Sequence, residues 1–196
     1  MTYPAKVRCF FCEPSGLERL FLRRYAASSK AQCSGPYSYH NARVFLEDRQ
    51  LSDTVPTHPR DDERWPMKCA ACDYVFDDDD HWQVFRETIY LRTDTGEEVL
   101  QTDNVPGMMF DATWMCRKGA DGRSLYVILP NGKQWAIDGR ASNCSMPEDS
   151  EHRCWVRHGE PPFITVDKNG NTCAAGGGSI QAGDYHGFLR NGVFDP

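Results

Sequence analysis

Cysteine residues in two Cys-x-x-Cys pairs are the clearest chemical feature of this sequence. The pairs are Cys9/Cys12 and Cys69/Cys72, and each would present two thiolates from one tight turn. Zinc in a structural site takes four ligands at the corners of a tetrahedron, so two such knuckles complete one coordination shell. The sequence therefore predicts one zinc ion, bound by the thiolates of Cys9, Cys12, Cys69 and Cys72.

The segment between the two pairs is longer than the usual spacing of a zinc ribbon, so it must contain an insertion. Such an insertion is tolerated, because the entropy of closing a loop grows only with the logarithm of its length. Cys33 and His40 lie inside it and are alternative ligands for one member of the shell. Thioredoxin-like redox chemistry is the rival interpretation of a Cys-x-x-Cys pair. No strand-helix-strand pattern surrounds either pair, which favours zinc.

A second group of potential ligands lies in the C-terminal part of the sequence. It consists of Cys144, His152, Cys154, His158, Cys173 and His186. One interpretation is a second metal site, with an open position for a water molecule. The other is purely structural, with small buried cysteines and with histidines that hydrogen-bond inside turns. Neither the His-Glu-x-x-His motif nor the zinc deaminase signature occurs, and the sequence leaves both interpretations open.

An enzymatic alternative uses the same group of residues. The catalytic residues of such a metal- or Cys/His-dependent hydrolase would be Cys144, His152, His158 and His186. Cys144 would act as the thiol nucleophile and His186 as its general base. Asn143 or Asp138 would orient the base. In the metal-dependent version, a bound water would lie among the histidines.

Bulk composition describes a soluble globular chain with a real core. Hydrophobic residues make up 40% of the sequence and charged residues 26%, with a mean hydropathy of -0.62. No apolar run reaches the roughly 18 residues that a membrane-spanning helix needs. The first residues lack the apolar stretch of a signal peptide, which favours a reducing cytosol. The nine cysteines are therefore better explained as metal ligands than as disulfides.

The charge is unevenly distributed along the sequence. The net charge is -6, but residues 1–43 carry seven Lys or Arg residues against two Glu. An overall negative charge disfavours a protein that coats nucleic acid with its whole surface. An anionic partner is instead expected to contact the basic segment 1–43.

One N-terminal helix is predicted at residues 16–28. Residues 15–18 have the Ser-x-x-Glu pattern of a capping box, which satisfies backbone donors at a helix start. Apolar residues then recur at intervals of three and four, at Leu17, Leu20, Phe21 and Tyr25. This apolar pattern, with arginines between, indicates an amphipathic helix.

The remainder of the sequence has the features of β-structure. Strands are predicted at 39–46, 82–91, 97–101, 125–129, 133–138, 163–166, 185–189 and 193–194. Tight turns are predicted at 93–96 and 130–132 and at the Asn-Gly steps 169–170 and 191–192. The predicted fold class is α+β, a mainly antiparallel β body with one N-terminal helix and a zinc-ribbon-like pair of knuckles. The predicted domains are a zinc-knuckle region at 1–80 and a β-rich domain at 81–196.

Several segments between residues 105 and 194 resemble a family of small bacteriophage-encoded proteins. They are PGMMFDATW at 106–114, DGRASNC at 138–144, HRCWVRHGE at 152–160, VDKNG at 166–170, TCAAG at 172–176 and YHGFLRNG at 185–192. Members often carry the transferred label ammonia monooxygenase, a membrane copper complex that a chain without a membrane segment does not fit. The resemblance implies a phage origin and an N-terminal zinc-knuckle region, and it supplies no catalytic residues.

The function predicted from these features is that of a zinc-binding phage accessory protein. It would act without catalysis, by binding a host or virion macromolecule, in the host cytoplasm or in the virion. A host or phage protein is the expected partner, nucleic acid contacted through 1–43 is the alternative, and no membrane is expected. The hydrolase and a structural virion component are the other hypotheses.

Overall fold

Short β-strands joined by turns make up most of the structure. The computed structural model describes residues 3–4, 6–26, 33–35, 39–150, 152–168, 173 and 178–195. The strands in these residues are β1 (Val7–Arg8), β2 (Phe10–Ala26), β3 (His40–Gln50), β4 (His81–Arg92), β5 (Glu98–Leu100), β6 (Met108–Asp111), β7 (Leu125–Ile128), β8 (Gln134–Ala136), β9 (Val156–His158), β10 (Thr165–Asp167), β11 (Ile180–Ala182), β12 (Tyr185–Arg190) and β13 (Val193–Asp195). The same residues contain one 3-10 turn, Gln101–Asp103, and no α-helix. The predicted β-rich body is confirmed, whereas the helical part of the α+β class is not present.

The chain forms two compact units. Unit 1 comprises Met1–Glu13 and Tyr90–Pro196, and unit 2 comprises Pro14–Ile89. The boundaries fall within β2 and next to the C-terminal end of β4, so both strands contribute residues to each unit.

Two sets of paired strands and a hairpin make up unit 1. The first residues of β2 pair in parallel with β6, and β6, β7 and β8 continue as antiparallel neighbours. A separate sheet has the strand order β1-β13-β12-β11. β9 and β10 form an isolated antiparallel pair. Apart from the parallel β2–β6 pair, all of these strand pairs are antiparallel.

The predicted turns at 93–96, 130–132 and 191–192 are confirmed. Gly96 has a φ of 74°, Gly132 one of 77° and Gly192 one of 70°. Glycine adopts such positive φ values without the steric penalty that a Cβ would bring. The Asn-Gly step at 169–170 lies outside the described residues.

Aromatic and aliphatic side chains fill the main core of unit 1. Trp135 of β8 and Trp155 meet edge to face, with ring centroids 5.1 Å apart, an arrangement that aromatic quadrupoles favour. Cys9, Cys154 and Cys173 are buried in the same core. The core therefore encloses thiol groups among its hydrophobic side chains.

Unit 2 is organised around the antiparallel pair of β2 and β3, with β4 on the other side of β2. Leu20 and Leu22 of β2 pack with Trp65 and Val84 in one small core cluster. A second small cluster surrounds Cys69. Unit 2 thus has hydrophobic clusters that are smaller than the main core of unit 1.

The predicted helix at 16–28 is wrong. The described part of this segment lies in β2, and residues 27 and 28 fall outside the described residues. Leu20, Leu22 and Arg24 are at most 1% exposed and alternate with less buried neighbours. Burial at every second position is the period of a strand, because successive side chains of a strand point to opposite faces.

Two buried charged side chains conceal this period in the sequence. Glu18 is 0% exposed and Arg24 is 1% exposed, at inward positions of β2. Glu18 forms an ion pair with Arg49 at 2.7 Å. Arg24 lies over the Trp82 ring, 3.8 Å from its centroid. Because these partners come from β3 and β4, no local pattern in β2 reveals that its charges are inward.

Candidate metal centres

Four potential metal ligands of unit 2 lie close together. This first cluster consists of Cys33, His40, Cys69 and Cys72, and the ligand atoms all lie within 4.8 Å of one another. The sulfurs of Cys33 and Cys69 are 3.9 Å apart, and the Cys72 sulfur is 3.2 Å from His40 Nδ1. A tetrahedron with Zn–S bonds of about 2.3 Å has edges of about 3.8 Å. The first cluster is therefore geometrically suited to hold a metal ion.

A hairpin turn and a strand end position three ligands of the first cluster. His40 is the first residue of β3. Cys69 and Cys72 lie in the turn that is closed by the antiparallel bridge between Lys68 and Val75. A tight turn with a sulfur at each end is the geometry of a metal knuckle. The second Cys-x-x-Cys pair therefore has the geometry of a metal knuckle.

Close backbone approach brings Cys33 to the same turn. Ser34 Oγ donates a hydrogen bond to the Ala71 carbonyl over 2.9 Å. A Cβ added to Gly35 would lie only 2.6 Å from the Ala71 Cβ. A glycine at position 35 therefore allows the segment to reach the turn.

The surroundings of Cys69 favour its thiolate, which is the form that binds a metal. Burial opposes the charge, but the Ala71 N–H, 3.5 Å from the sulfur, stabilises it together with His40 and Cys72. The net effect lowers the pKa of the Cys69 thiol to about 6. These contacts therefore stabilise the Cys69 thiolate relative to the thiol.

An aromatic ring and a buried carboxylate support His40. The imidazole stacks on Tyr74, with centroids 4.0 Å apart and planes 9° from parallel. The Tyr74 hydroxyl donates to Asp80 Oδ2 over 3.0 Å, and the same oxygen accepts the Asp77 N–H over 2.9 Å. Asp80 is 4% exposed, while the three aspartates before it are exposed. This support is not visible in the sequence, because a run of four aspartates carries no local signal that one of them is buried.

A second cluster of the same composition lies in unit 1. It consists of Cys144, His152, Cys154 and Cys173, with all ligand atoms within 4.8 Å of one another. The Cys173 sulfur is 3.5 Å from that of Cys144 and 3.7 Å from that of Cys154. The Cys154 sulfur is 3.7 Å from His152 Nε2. These separations are close to a tetrahedral edge and much longer than the bond of about 2.05 Å in a disulfide.

Backbone hydrogen bonds in the loop after β8 position two of these ligands. The Cys144 N–H donates to the Ala141 carbonyl over 3.1 Å, and the Cys154 N–H donates to the Gly139 carbonyl over 3.2 Å. The Met146 N–H points to the Cys144 sulfur at 3.4 Å. The loop is therefore folded back so that its two cysteines meet just before β9.

The second cluster borders the main hydrophobic core of unit 1. Cys154 is 0% exposed and Cys173 is 6% exposed, and Cys144 packs against the same core. Burial raises the pKa of the Cys154 thiol to about 11. A metal ion would have to displace this proton, so metal binding at the second cluster is coupled to proton release.

Cys9 and Cys12 belong to neither cluster among the described residues. Cys9 lies in the main core of unit 1, whereas Cys12 lies in β2 and in a different hydrophobic cluster. Residues three apart in an extended chain point to opposite faces, so this pair does not form a knuckle. Burial raises the pKa of both thiols to about 12. The predicted grouping of four cysteines is not found among the described residues: Cys69 and Cys72 lie instead with Cys33 and His40.

The three histidines of the hypothetical hydrolase are not gathered around Cys144. His152 is the one that shares a cluster with Cys144 in the described part of the chain. The His158 side chain is 48% exposed and lies 3.1 Å from Asp167. His186 is an exposed residue of β12. Cys144 and His186 therefore do not form the predicted nucleophile–base pair.

The two residues predicted to orient the base have other surroundings. Asp138 is 3% exposed and accepts hydrogen bonds from Arg157 Nε over 2.8 Å and from the Leu125 N–H over 2.9 Å. Asn143 is an exposed residue of the loop after β8. Asp138 thus forms a buried ion pair with Arg157 in unit 1.

Arginine and aromatic side chains cover the outward side of the β2–β3 pair. This aromatic–arginine face consists of Arg19, Phe21, Arg23, Tyr25, Arg43 and Phe45. Arg43 lies over the Phe21 ring at 4.5 Å from its centroid, and Arg23 lies over Tyr25 at 4.9 Å. Phe45 is 54% exposed. The face therefore presents cations and the Phe45 ring to the solvent.

Two arginines of this face are direct neighbours. Arg23 and Arg43 are opposite each other in the antiparallel register, an arrangement of like charges that destabilises a sheet. Arg43 forms an ion pair with buried Glu87 at 2.6 Å, and Arg23 donates to Asn41 Oδ1 over 2.8 Å. These two contacts offset the repulsion between the guanidinium groups of Arg23 and Arg43.

None of the described residues forms a helix that is long and apolar enough to cross a membrane. The resemblance of 105–194 to bacteriophage-encoded proteins stays a prediction. No protein family, curated protein or solved structure matches the chain.

Proposed function

We propose that this chain is a zinc-binding accessory protein that acts by binding another macromolecule and not by catalysis. The observation that carries the proposal is the composition of the two clusters, each with three thiols and one imidazole. Structural zinc sites are closed by four protein ligands, whereas catalytic sites keep a position for water. Both clusters therefore fit structural ions.

Zinc is the metal that suits these donors best. Thiolate ligands favour soft or borderline metals such as zinc, and four sulfur and nitrogen donors in a tetrahedron are typical of structural zinc. When bound, zinc would supply coordination energy that is added to the folding free energy. Cys33, His40, Cys69 and Cys72 would hold one ion, and Cys144, His152, Cys154 and Cys173 would hold the other.

Elemental analysis of the purified protein tests the metal assignment. Because there are two clusters, two zinc ions per chain are expected. Cys72→Ser and Cys154→Ser should each remove one ion. Cys9→Ser is the matched control, because Cys9 is a buried thiol outside both clusters. Fewer than two ions in the unmodified chain, or loss of an ion in the control, would contradict the assignment.

The aromatic–arginine face is the surface proposed to contact the partner, an acidic segment of another protein. Aromatic residues and arginine are enriched at the energetically dominant positions of protein interfaces. Phe45 offers exposed apolar area, and Arg23, which donates to the neutral side chains of Asn41 and Tyr39, offers positive charge to carboxylates. Nucleic acid is the alternative partner, since guanidinium groups also bind phosphates.

Site-specific photo-crosslinking tests this surface and its partner. With p-benzoylphenylalanine in place of Phe45, we expect a protein adduct whose yield falls severalfold in Arg23→Gln. Arg190→Gln is the matched control, because Arg190 also lies over a ring, that of Phe188 in unit 1, at 4.2 Å. A nucleic-acid adduct, or equal yields in both variants, would contradict a protein partner at this face.

A phage-infected host cell is the proposed setting. The resemblance of 105–194 to bacteriophage-encoded proteins supports this setting, in the host cytoplasm or in the virion. Mass spectrometry of purified particles distinguishes the two locations. Recovery of the protein at a fixed copy number per particle would favour a structural virion component over an accessory protein.

A further inference from the structure

A pocket of about 630 Å³ opens in unit 2 between β4 and the loop at 55–60. Two indole rings, Trp65 and Trp82, form part of its wall. Pockets of roughly 300–1,000 Å³ with aromatic walls and a few polar groups are typical of small-molecule sites. The pocket therefore has the size and the apolar surface of a ligand-binding site.

The pocket is positively charged. Arg60 and Arg86 line it, and no Asp or Glu is among the described lining residues. Arg86 is 3.7 Å from Glu18, whose carboxylate is paired more closely with Arg49. Arg60 makes no ion pair with any carboxylate of the described chain and lies over the Trp82 ring at 5.6 Å. Arg60 is therefore a cation that is available to an anionic ligand.

One acidic side chain on the same loop, that of Asp62, is already engaged. Asp62 lies 2.8 Å from Arg64 Nη2 and 2.6 Å from His58 Nε2. Hydrogen bonds from Arg64 and then from His58 hold the pKa of Asp62 well below its usual range. This carboxylate is paired with those residues and forms no ion pair with Arg60.

A buried hydrogen-bond donor in the pocket wall lacks an acceptor. Trp82 Nε1 is buried and has no hydrogen-bond partner among the described residues. The other indole of the wall is satisfied, because Trp65 Nε1 donates to the Pro59 carbonyl over 2.7 Å. Buried donors are almost always paired in folded proteins, by the protein itself, by water or by a ligand. Trp82 is therefore a residue of the pocket wall whose N–H donor is unused among the described residues.

We propose that this pocket binds an aromatic anion of the nucleoside monophosphate class. The ring of the ligand packs against the indoles of Trp65 and Trp82, and an acceptor on it receives the Trp82 N–H. The phosphate lies next to Arg60. Aromatic stacking and a guanidinium–phosphate contact are the two interactions that proteins use to hold a nucleotide without recognising its sequence. The ligand is either a free nucleotide or one nucleotide of a single strand.

Binding of adenosine monophosphate to the full-length, zinc-loaded protein tests the proposal. Nuclear magnetic resonance should show a saturable shift of the indole N–H signal of Trp82, which is assigned by its loss in Trp82→Phe. Adenosine without the phosphate should bind at least tenfold more weakly, because it lacks the anion. A Trp82 signal that does not move at millimolar adenosine monophosphate would overturn the proposal.

Three variants separate the pocket from general charge effects. Arg60→Gln should weaken binding of adenosine monophosphate at least tenfold, because it removes the unpaired cation. Trp82→Phe should weaken it severalfold, because it keeps an aromatic ring and deletes the N–H. Arg190→Gln removes the same charge from unit 1 and should leave the affinity unchanged. Equal affinities of Arg60→Gln and Arg190→Gln would refute the assignment.

Comparison of ligands identifies the source of the nucleotide. A single-stranded oligonucleotide that binds more than tenfold tighter than adenosine monophosphate, with both weakened by Arg60→Gln, assigns the pocket to a nucleotide within a strand. Similar affinities assign it to a free nucleotide. Oligonucleotide binding that is insensitive to Arg60→Gln would place the strand elsewhere and count against the pocket. These measurements use protein whose zinc content is confirmed beforehand and do not involve the aromatic–arginine face, so failure here is distinguishable from failure of the proposed function.

Discussion

Two Asn-Gly turns in unit 1 share a backbone conformation but have different surroundings. Gly132 has a φ of 77° and Gly192 one of 70°. A Cβ at Gly132 would meet no atom within 4 Å, whereas one at Gly192 would lie 2.5 Å from the carbonyl oxygen of Pro162. The Gly192 carbonyl also accepts the Cys9 N–H over 2.7 Å. A Cβ at Gly132 would therefore bring only the strain of a positive φ, whereas a Cβ at Gly192 would bring that strain and a steric overlap.

Alanine substitution at the two turns should give unequal losses of stability. Gly132→Ala is expected to lower the unfolding free energy by about 1–2 kcal/mol, the cost of a Cβ in the left-handed region. Gly192→Ala should cost about 1–3 kcal/mol more, because the backbone near Pro162 must shift to admit the methyl group. Urea unfolding of the two variants measures the difference. Equal losses would show that the close approach to Pro162 is relaxed at little cost.

The two Cys-x-x-Cys pairs lie in different structural elements, and the residues between their cysteines differ accordingly. The spacing in the sequence is the same, but the first pair runs into the long strand β2, and the second lies in a hairpin turn. Between the first pair stand Phe10 and Phe11, which favour strands. Between the second pair stand Ala70 and Ala71, which are small enough for a tight turn. The intervening residues were therefore the signal that could have distinguished a strand from a knuckle.

The β elements of the chain were largely predictable, and the N-terminal segment was not. The turns at 93–96, 130–132 and 191–192 follow from glycine at positions that need positive φ, which is a local property. The burial of Glu18 and Arg24 depends on partners in β3 and β4, which is a tertiary property. Charged residues normally indicate exposed positions, but Glu18 and Arg24 are buried against partners from β3 and β4. The helix prediction failed because it placed these charges on the exposed side.

The metal sites show the same division between local and tertiary information. The sequence identifies every ligand of both clusters as a potential one, since Cys33 and His40 are named as alternatives and the second group contains all four ligands of the second cluster. It does not group them correctly, because the first cluster depends on the approach of Gly35 to Ala71. The sequence thus indicates which residues are potential metal ligands, and the tertiary packing of the chain determines which of them lie together.

Each compact unit has its own hydrophobic clusters and its own potential metal centre. The main core of unit 1 borders the second cluster of ligands. In unit 2 the small hydrophobic cluster around Cys69 includes Cys33 and Cys72, so the ligands are themselves part of the packing. Small cores gain proportionally more from a metal ion, because they bury less apolar surface. Unit 2 is therefore expected to depend more strongly on zinc than unit 1.

Amide hydrogen exchange of site-specific variants tests this dependence at the scale of the whole molecule. Cys72→Ser should abolish most of the protection of β3, which lies in unit 2, and should leave β7 in unit 1 protected. Cys154→Ser should instead reduce the protection of β7, with partial retention because hydrophobic contacts still hold the larger core. Cys116→Ser, at an exposed thiol outside both clusters, should change neither. Uniform loss of protection in Cys72→Ser would mean that the two units unfold as one, since a local metal defect would then propagate through β2 and β4.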